Sequence, residues 1–177
     1  MIKLGAKELR TTQSSIEQKK DLKKNPIYII CDNILDTYNV GSIFRLADAV
    51  AASKVYLCGI TETPPNTRIK KASINTTEWV DWEYVPTTLE AITSLKSQIP
   101  NIQIVLVEQD ARSVAFDRAE YTFPIALIVS NESSGAEKEV LDAADMIVEM
   151  PMFGVNKSLN VMVSLGIVLY QVIQKMR

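Results

Sequence analysis

The sequence of 177 residues contains no histidine. Without an imidazole, the chain has no histidine general base, no Ser-His or Cys-His nucleophile pair, and few of the ligands that zinc sites use. Any catalysis must therefore rely on arginine, lysine, carboxylates, hydroxyls and backbone dipoles, or on a cofactor that is already activated.

Cysteine is also scarce. Cys31 and Cys58 both lie in apolar, strand-like segments, and their spacing forms neither a CxxC motif nor another metal-ligand pattern. We predict that both are small core residues in a reducing compartment, which favours a cytoplasmic location. No apolar run reaches the length of about 20 residues that spans a bilayer, and the polar, charged N-terminus is unlike a signal peptide.

Positive charge is concentrated at one end of the chain. The net charge is −2, yet residues 1–24 contain seven lysines and arginines and three acidic residues, which leaves −6 for the remainder. A basic arm on an acidic body suits phosphate contact, although a solvated, partly frayed helix explains the same charges. We predict a basic helical extension over residues 1–24 and a single domain over residues 25–177.

Apolar segments alternate with amphipathic segments after residue 25. Strands are predicted at residues 27–31, 54–58, 79–85, 102–107, 124–129 and 145–149. Helices are predicted at residues 39–51, 87–98, 136–143 and 159–173, and residues 61–78 are predicted to form a polar loop. The alternation indicates an α/β fold with a mostly parallel sheet of five or six strands.

Polar loops follow three of the predicted strands, at residues 33–41, 130–135 and 150–158. Loops at the carboxyl ends of neighbouring parallel strands converge on one crevice, where open α/β sheets bind ligands. None of the three is a P-loop or a GxGxxG fingerprint, so ATP or NAD binding by those modes has no support.

The first loop leads into a helix that carries a candidate phosphate ligand. Asn39 is predicted to cap this helix, and Gly41 would allow another backbone or a ligand to approach closely. Val40 lies on the stripe that packs against the sheet, and Arg45 projects about 140° away from it. An outward arginine near the start of a helix suits phosphate binding, although a solvated arginine is the common alternative.

The last loop leads into an apolar helix. Ser158 is predicted to cap it, because a serine hydroxyl can accept from an amide two or three residues later. From residue 159 to residue 173 apolar side chains point in nearly every direction. Such a helix must be buried, in a core or against another subunit.

Together the three loops resemble the signature motifs of the SpoU/TrmH branch of the SPOUT RNA methyltransferases. The matching residues are Asn39, Gly41, Arg45 and Ala47 in the first motif, Asn131, Glu132 and Gly135 in the second, and Met150, Pro151, Met152, Gly154, Ser158, Leu159, Asn160 and Val161 in the third. The similarity extends over about residues 26–175 in the family's order. Ser130 and Ser133 depart from it, because the family usually has glycine there.

The resemblance implies a Rossmann-like sheet with a C-terminal deep trefoil knot, a homodimer, and S-adenosylmethionine held in the knot. It also implies methyl transfer to a ribose 2′-hydroxyl of tRNA or rRNA, with no metal ion. The short chain with a basic arm is most similar to the tRNA guanosine 2′-O-methyltransferases. Glycine-to-serine changes in the second motif would narrow the adenosine pocket or alter the turn.

The resemblance also assigns catalytic roles. Arg45 is expected to bind the neighbouring phosphate and to stabilise the developing alkoxide. Asn39 and Asn160 would orient Arg45, the ribose or the loops, and Ser158 would hydrogen-bond the substrate. Glu132 would hold Arg45 or accept the proton.

Two further groups of residues are expected to bind ligands. The predicted cofactor contacts are Val107, Glu108, Ile128, Ser130, Asn131, Glu132, Gly135, Met150, Met152, Ser158 and Leu159. The predicted RNA contacts are Arg10, Lys19, Lys20, Arg45, Arg68, Lys70 and Lys71. Core packing is an alternative role for the apolar members of the first group.

Three alternative functions stay open at this point. A catalytically silent RNA-binding module of the same fold would fit the serine-rich second loop. An unrelated α/β enzyme acting on a small molecule would use the same crevice. A SPOUT enzyme that methylates a base nitrogen would have a different motif pattern.

Overall fold

The structure is a computed structural model that describes residues 3–12 and 15–176. The side chain of Lys20, one of the predicted RNA contacts, lies outside what is described. Among the described residues, no helix is both long enough and apolar enough to cross a membrane.

Helices and strands alternate through most of the chain. The helices are α1 (Ala6–Leu9), α2 (Ile16–Lys20), α3 (Thr37–Ala49), α4 (Thr67–Ser73), α5 (Thr88–Gln98), α6 (Lys138–Ala143) and α7 (Val161–Lys175), with a 3₁₀ turn at Thr76–Glu78. The strands are β1 (Asn25–Asp32), β2 (Ala52–Cys58), β3 (Trp82–Val85), β4 (Gln103–Val107), β5 (Val114–Ala115), β6 (Ile125–Ser130) and β7 (Met146–Glu149).

The strands form one seven-stranded sheet in the order β3-β2-β1-β6-β4-β7-β5 within the described residues, and each neighbouring pair is parallel. β6 lies in the middle and is buried along its whole length, as its unbroken apolar sequence predicts. The predicted α/β class is therefore confirmed. The chain winds outward from β1 through β2 to β3 and then crosses to build the other half of the sheet, in which β6 pairs with both β1 and β4.

Helices cover both faces of the sheet. One core packs α3 and α7 against the sheet and includes Phe44, which has no exposed surface. The other core packs α5 and α6 against the opposite face and includes Leu95. Burying each large apolar side chain contributes roughly 1.5–3 kcal/mol. Cys31 and Cys58 lie in these cores as free thiols, as predicted.

α3 begins earlier than predicted. Asp36, rather than Asn39, caps the helix and accepts a 2.8 Å hydrogen bond from the Tyr38 amide. Asn39 is therefore buried within the first helical turn. The predicted close approach at Gly41 is confirmed: a Cβ there would lie 2.6 Å from the Ala72 Cβ of α4.

The prediction of a polar loop over residues 61–78 is wrong, because α4 and the 3₁₀ turn lie within it. Asn66 starts α4 by accepting hydrogen bonds from the amides of Arg68 and Ile69. Ile69 is fully buried and ties the helix to the core. One buried apolar residue and one capping residue are enough to form α4. Neither produces the periodic hydrophobic pattern from which a helix is predicted.

α7 is capped by Asn160 rather than by Ser158. The Asn160 side chain accepts from the amides of Met162 at 2.9 Å and Val163 at 3.4 Å. One face of the helix is buried in the core, as predicted. The opposite face carries Val163, Ile167 and Tyr170, which are 41%, 36% and 53% exposed in the single chain. Burial of this stripe against another subunit stays a prediction.

Candidate active site

The polar loops after β6 and β7 border a cleft of about 540 Å³ at the carboxyl ends of the strands. All the predicted cofactor contacts line it except Ile128, which points into the core on the α5 side of the sheet. Ile128 was assigned as an aliphatic wall for adenine, and alternation along β6 turns it away from the cleft. Asn156, within the predicted 150–158 loop, also lines the cleft, as do Gln109 and Glu149, which were not predicted because they stand at strand ends without a distinctive pattern. Ser164 does too, and its position one turn after Asn160 places it on the same side of α7.

A series of side-chain hydrogen bonds connects the three motif loops. Asn160 donates through Nδ2 to Oδ1 of Asn39 at 3.0 Å. Asn39 donates through its own Nδ2 to Oε1 of Glu132 at 2.8 Å. Because each asparagine uses its carbonyl and its amide group at once, the series fixes the orientation of both side chains.

Glu132 also binds the backbone of the first loop. Its carboxylate accepts from the amides of Leu35 at 2.9 Å and Asp36 at 3.1 Å, in addition to Asn39. Burial raises the pKa of Glu132, but these donated hydrogen bonds outweigh it and hold the pKa below its ordinary value. The side chain is therefore an ionised anchor between the first and second loops.

Arg45 is not brought into the cleft of its own chain. Its side chain is exposed on α3, and it makes no hydrogen bond or ion pair with any residue that the structure describes. The predicted contact with Glu132 is therefore absent among those residues, because that carboxylate faces the backbone of the first loop. An exposed guanidinium of this kind is available to an external phosphate.

Ser158 lies at the rim of the cleft, two residues before the cap of α7. It is exposed, and its amide is 3.5 Å from Oδ1 of Asn156. The substrate hydrogen bond predicted for Ser158 stays a prediction.

The two serines of the second motif occupy different environments. Ser130 is buried and donates through Oγ to Oε2 of Glu108 at 2.9 Å. Ser133 is exposed, and its amide binds the Asn131 side chain at 2.9 Å. Gly135 has φ +68°, and a Cβ there would lie 2.9 Å from the same Glu108 carboxylate oxygen. The loop thus accommodates both serines and keeps its glycine where the backbone requires one.

Comparison with known proteins decides the family. The model of the SpoU rRNA Methylase family matches residues 26–170. The chain belongs to this family. It is accordingly an RNA 2′-O-methyltransferase by class and uses S-adenosylmethionine, as the resemblance implied.

Relatives of the family agree with this assignment. The chain is 31% identical to a tRNA (guanosine(18)-2′-O)-methyltransferase of Aquifex aeolicus, over 93% of this chain and 75% of that protein. It is 29% identical to the putative TrmH family tRNA/rRNA methyltransferase YacO of Bacillus subtilis, over 95% of this chain and 65% of the relative. The chain therefore spans about two thirds to three quarters of these relatives.

Solved structures show the same fold. The A. aeolicus TrmH/SpoU tRNA modifying enzyme has a TM-score of 0.78 and 28% identity, over 96% of this chain and 81% of that one. An AdoMet-bound rRNA methyltransferase from Sinorhizobium meliloti has a TM-score of 0.79 and 25% identity, over 96% of this chain and 60% of that one. These SpoU relatives imply the α/β-knot fold that the resemblance predicted.

The cleft of this SpoU family member fits S-adenosylmethionine. Its volume lies within the range of about 300–1,000 Å³ that is usual for small-molecule sites. Glu108, Glu132 and Glu149 are among its lining residues, and no lysine or arginine is found in the described lining. This acidic setting suits a ligand with a positively charged sulfur, while Met150 and Met152 provide apolar surface.

The remaining predicted RNA contacts lie at the C-cap of α1 and on α2 and α4. Arg10, Arg68, Lys70 and Lys71 are exposed, and Lys19 is half-buried. Among the described residues, no cluster of three or more His, Cys, Asp or Glu side chains is arranged to hold a metal ion.

Proposed function

We propose that this chain methylates the ribose 2′-hydroxyl of a guanosine in tRNA, and that it acts as a homodimer. The observation that carries the catalytic part is the hydrogen-bonded series Asn160–Asn39–Glu132, which joins all three motif loops beside an acidic cleft. The guanosine and tRNA assignments rest on relatives that act on guanosine 18 of tRNA. A cytoplasmic location stays part of this proposal.

S-adenosylmethionine supplies a methyl group that is already activated as a sulfonium. The residues Val107, Glu108, Ser130, Gly135, Met152 and Leu159 would hold it in the cleft. The contribution of the chain is therefore alignment, which is worth roughly 7–11 kcal/mol when reacting groups are held close to the attack geometry. The anchored loops provide such rigidity, because Asn39 and Asn160 each hold two partners.

Arg45 is proposed to bind the RNA phosphate and to stabilise negative charge on the ribose oxygen. Arginine keeps its proton under ordinary conditions, so it acts by charge and not as a base. Glu132 is also a poor base, because its pKa is lowered and its oxygens already accept three hydrogen bonds. We therefore assign the hydroxyl proton to water and the anchoring role to Glu132.

The proposed dimer is supported by the exposed apolar stripe of α7. Val163, Ile167 and Tyr170 are spaced at helical intervals on one face, and such a stripe is unusual on the surface of a monomer. α3 packs beside α7, since Leu46 lies against Gly166. Arg45 is the neighbour of Leu46 on α3, so it lies close to the proposed interface, and it does not line the cleft of its own chain. We therefore propose that Arg45 serves the cleft of the second copy in the dimer.

The test is transfer of labelled methyl groups to purified tRNA and to ribosomal RNA, followed by mapping of 2′-O-methylated positions. Methylation of one tRNA guanosine is the expected result. Binding of both S-adenosylmethionine and RNA without any transfer would instead favour the catalytically silent RNA-binding module. Methylation of ribosomal RNA alone would keep the reaction and change the substrate.

A further inference from the structure

A second cavity, of about 400 Å³, lies between α2, α4 and β3. It has no residue in common with the lining of the cofactor cleft. Its volume is within the range of small-ligand sites. It brings together Lys19 of the N-terminal arm and Lys70 of α4, which are 51 positions apart in the sequence.

The arm is held in place over this part of the domain. Asn75 donates through its side-chain amide to the carbonyl oxygens of Leu9 at 3.2 Å and Thr12 at 3.1 Å. Asn75 is buried and has φ +68°, a conformation that asparagine tolerates better than most residues. Ser15 then caps α2, so Lys19 projects from an ordered helix.

The cavity carries more positive than negative charge. Lys19 and Lys70 both line it, and neither side chain pairs with a described residue. Glu78 is the one acidic residue of the lining and makes an interaction of its own. Arg68 and Lys71 lie exposed on the same short helix as Lys70. Two ammonium groups at one cavity suit a phosphate group.

The other walls are suited to a base. Trp82 is half-buried, and its ring is held edge-on against Phe44 with centroids 6.5 Å apart and planes at 89°. Pro64 and Pro65 add apolar surface, and Asn66 also lines the cavity while its Oδ1 accepts the capping hydrogen bonds of α4. Aromatic rings beside lysines are the usual platform for unstacked bases of single-stranded RNA.

We propose that this cavity binds one unstacked nucleotide of the RNA substrate. The base lies against Trp82 and the two prolines, and its phosphate lies at Lys19 and Lys70. The inference rests on the proposed RNA methyltransferase function and adds a substrate-selecting site apart from the cleft. The described residues include no separate RNA-binding domain. A cavity that accepts only an unstacked nucleotide would make binding depend on the local shape of the RNA.

The first experiment compares the double variant Lys19→Ala, Lys70→Ala with the full chain. Its affinity for tRNA is expected to fall by more than about tenfold. The slope of log K against log salt concentration is expected to be less steep by about 1.4–1.8. The affinity for S-adenosylmethionine, measured by calorimetry, should stay within twofold because the cleft is untouched. The control is Lys96→Ala, Lys138→Ala, which removes the same charge from α5 and α6, where the two lysines pair with Asp145 and Asp142.

The second experiment uses tryptophan fluorescence, since the protein has two tryptophans and Trp79 is only 4% exposed. A single-stranded RNA 12-mer is expected to quench the emission of Trp82. Trp82→Phe, which keeps a ring against Phe44, should remove most of that quenching. Lys19→Ala, Lys70→Ala should shift the titration to higher RNA concentration.

The outcomes separate the two proposals. Unchanged tRNA affinity in the Lys19, Lys70 variant, or an equal loss in the control pair, overturns the cavity assignment and leaves methyl transfer intact. Loss of tRNA affinity in an enzyme that transfers no methyl group supports the cavity and overturns the proposed reaction. A wild-type chain that binds no RNA overturns both.

Discussion

At the scale of single residues, substitution of Arg45 is expected to have the largest effect on methyl transfer. Arg45→Ala should lower methyl transfer by about 100- to 1,000-fold, the cost of removing one group that stabilises a developing oxyanion. The affinity for S-adenosylmethionine should stay within twofold, because Arg45 is outside the cleft lining. Labelled-methyl transfer and calorimetry measure the two quantities. Arg112→Ala, which removes an exposed arginine that pairs with Asp110 and Asp142, is the control.

Activity of Arg45→Ala within about twofold of wild type would show that the guanidinium has no catalytic part. Arg45→Lys separates charge from geometry, since lysine keeps the charge and loses the planar, bidentate donor arrangement. Partial recovery by lysine favours simple charge stabilisation, and no recovery favours a bidentate phosphate contact.

Glu132 makes a prediction about stability and pH. Glu132→Gln replaces an acceptor-only carboxylate with an amide that cannot accept all three hydrogen bonds. The pKa of Glu132 is lower in the folded state than its unfolded value of about 4.3. Its stabilisation is thus fully present above that pH and is lost as the pH falls through the folded-state value.

Urea unfolding at pH 7 should therefore give a lower midpoint for Glu132→Gln than for wild type. The gap should begin to narrow as the pH falls below about 4.3, and it should close once the pH is below the lowered folded-state pKa of Glu132, where the wild-type carboxyl is also neutral. Glu139→Gln, an exposed carboxylate on α6, should show no such gap. An equal gap at pH 3 and pH 7 would mean that packing, and not ionisation, explains the effect.

The motifs predicted Asn39, Glu132 and Asn160 as site residues, but they did not reveal the hydrogen bonds between these side chains. Their two connecting hydrogen bonds span 93 and 121 positions, so only the folded sheet brings the partners together. The cap of α7 was misassigned because serine and asparagine are almost equally good capping residues. Asn160 is the residue that caps α7 in the structure, and its side-chain amide group also donates a hydrogen bond to Asn39.

At the scale of secondary-structure elements, the contact between α3 and α4 depends on Gly41. Gly41→Ala would place a Cβ 2.6 Å from Cβ of Ala72 and 2.7 Å from the carbonyl oxygen of Ile69. Overpacking of this kind costs about 1–3 kcal/mol, while alanine gains up to about 1 kcal/mol of helix propensity over glycine. A net loss of stability is expected.

Thermal unfolding measures that loss. Gly154→Ala is the matched control, because a Cβ there meets no atom within 4 Å, and it should leave the unfolding temperature nearly unchanged. An unfolding temperature of Gly41→Ala at or above that of wild type would mean that the two helices separate without cost.

The long, strongly patterned elements were predictable, and the short ones were not. β6 and α5 follow from an unbroken apolar run and a capped amphipathic segment, and Thr87 caps α5 as expected. β5 has only two residues, and α4 has a single fully buried apolar anchor, Ile69. Tertiary contacts, which a local pattern does not contain, decide such elements.

At the scale of the whole molecule, the parallel sheet could be predicted from the alternation of strands and helices. The order β3-β2-β1-β6-β4-β7-β5 could not, because hydrophobic patterns give the strands and not their neighbours. The knot came from family resemblance alone, since general topology rules make knots rare. A crevice at the carboxyl ends of the strands could be predicted from the polar loops, but its detailed lining could not, because only the pairing of β6 with β4 brings Glu108 to Ser130.

The exposed stripe of α7 makes the last prediction, about assembly. Ile167→Arg places a charge in the middle of the stripe, where it would have to be buried without a partner in the proposed dimer. The variant should sediment as a monomer in analytical ultracentrifugation, whereas wild type is expected to sediment as a dimer. Leu89→Arg on α5, an apolar residue of similar exposure (38%), should remain dimeric.

Activity extends this test from assembly to catalysis. If Arg45 serves the cleft of the second copy, monomeric Ile167→Arg should lose methyl transfer as severely as Arg45→Ala, yet keep S-adenosylmethionine binding, because the described cleft is lined by one chain. A monomeric variant with full activity would place every catalytic group within one chain. Arg45 would then have to act on the cleft of its own chain, whose lining does not include it.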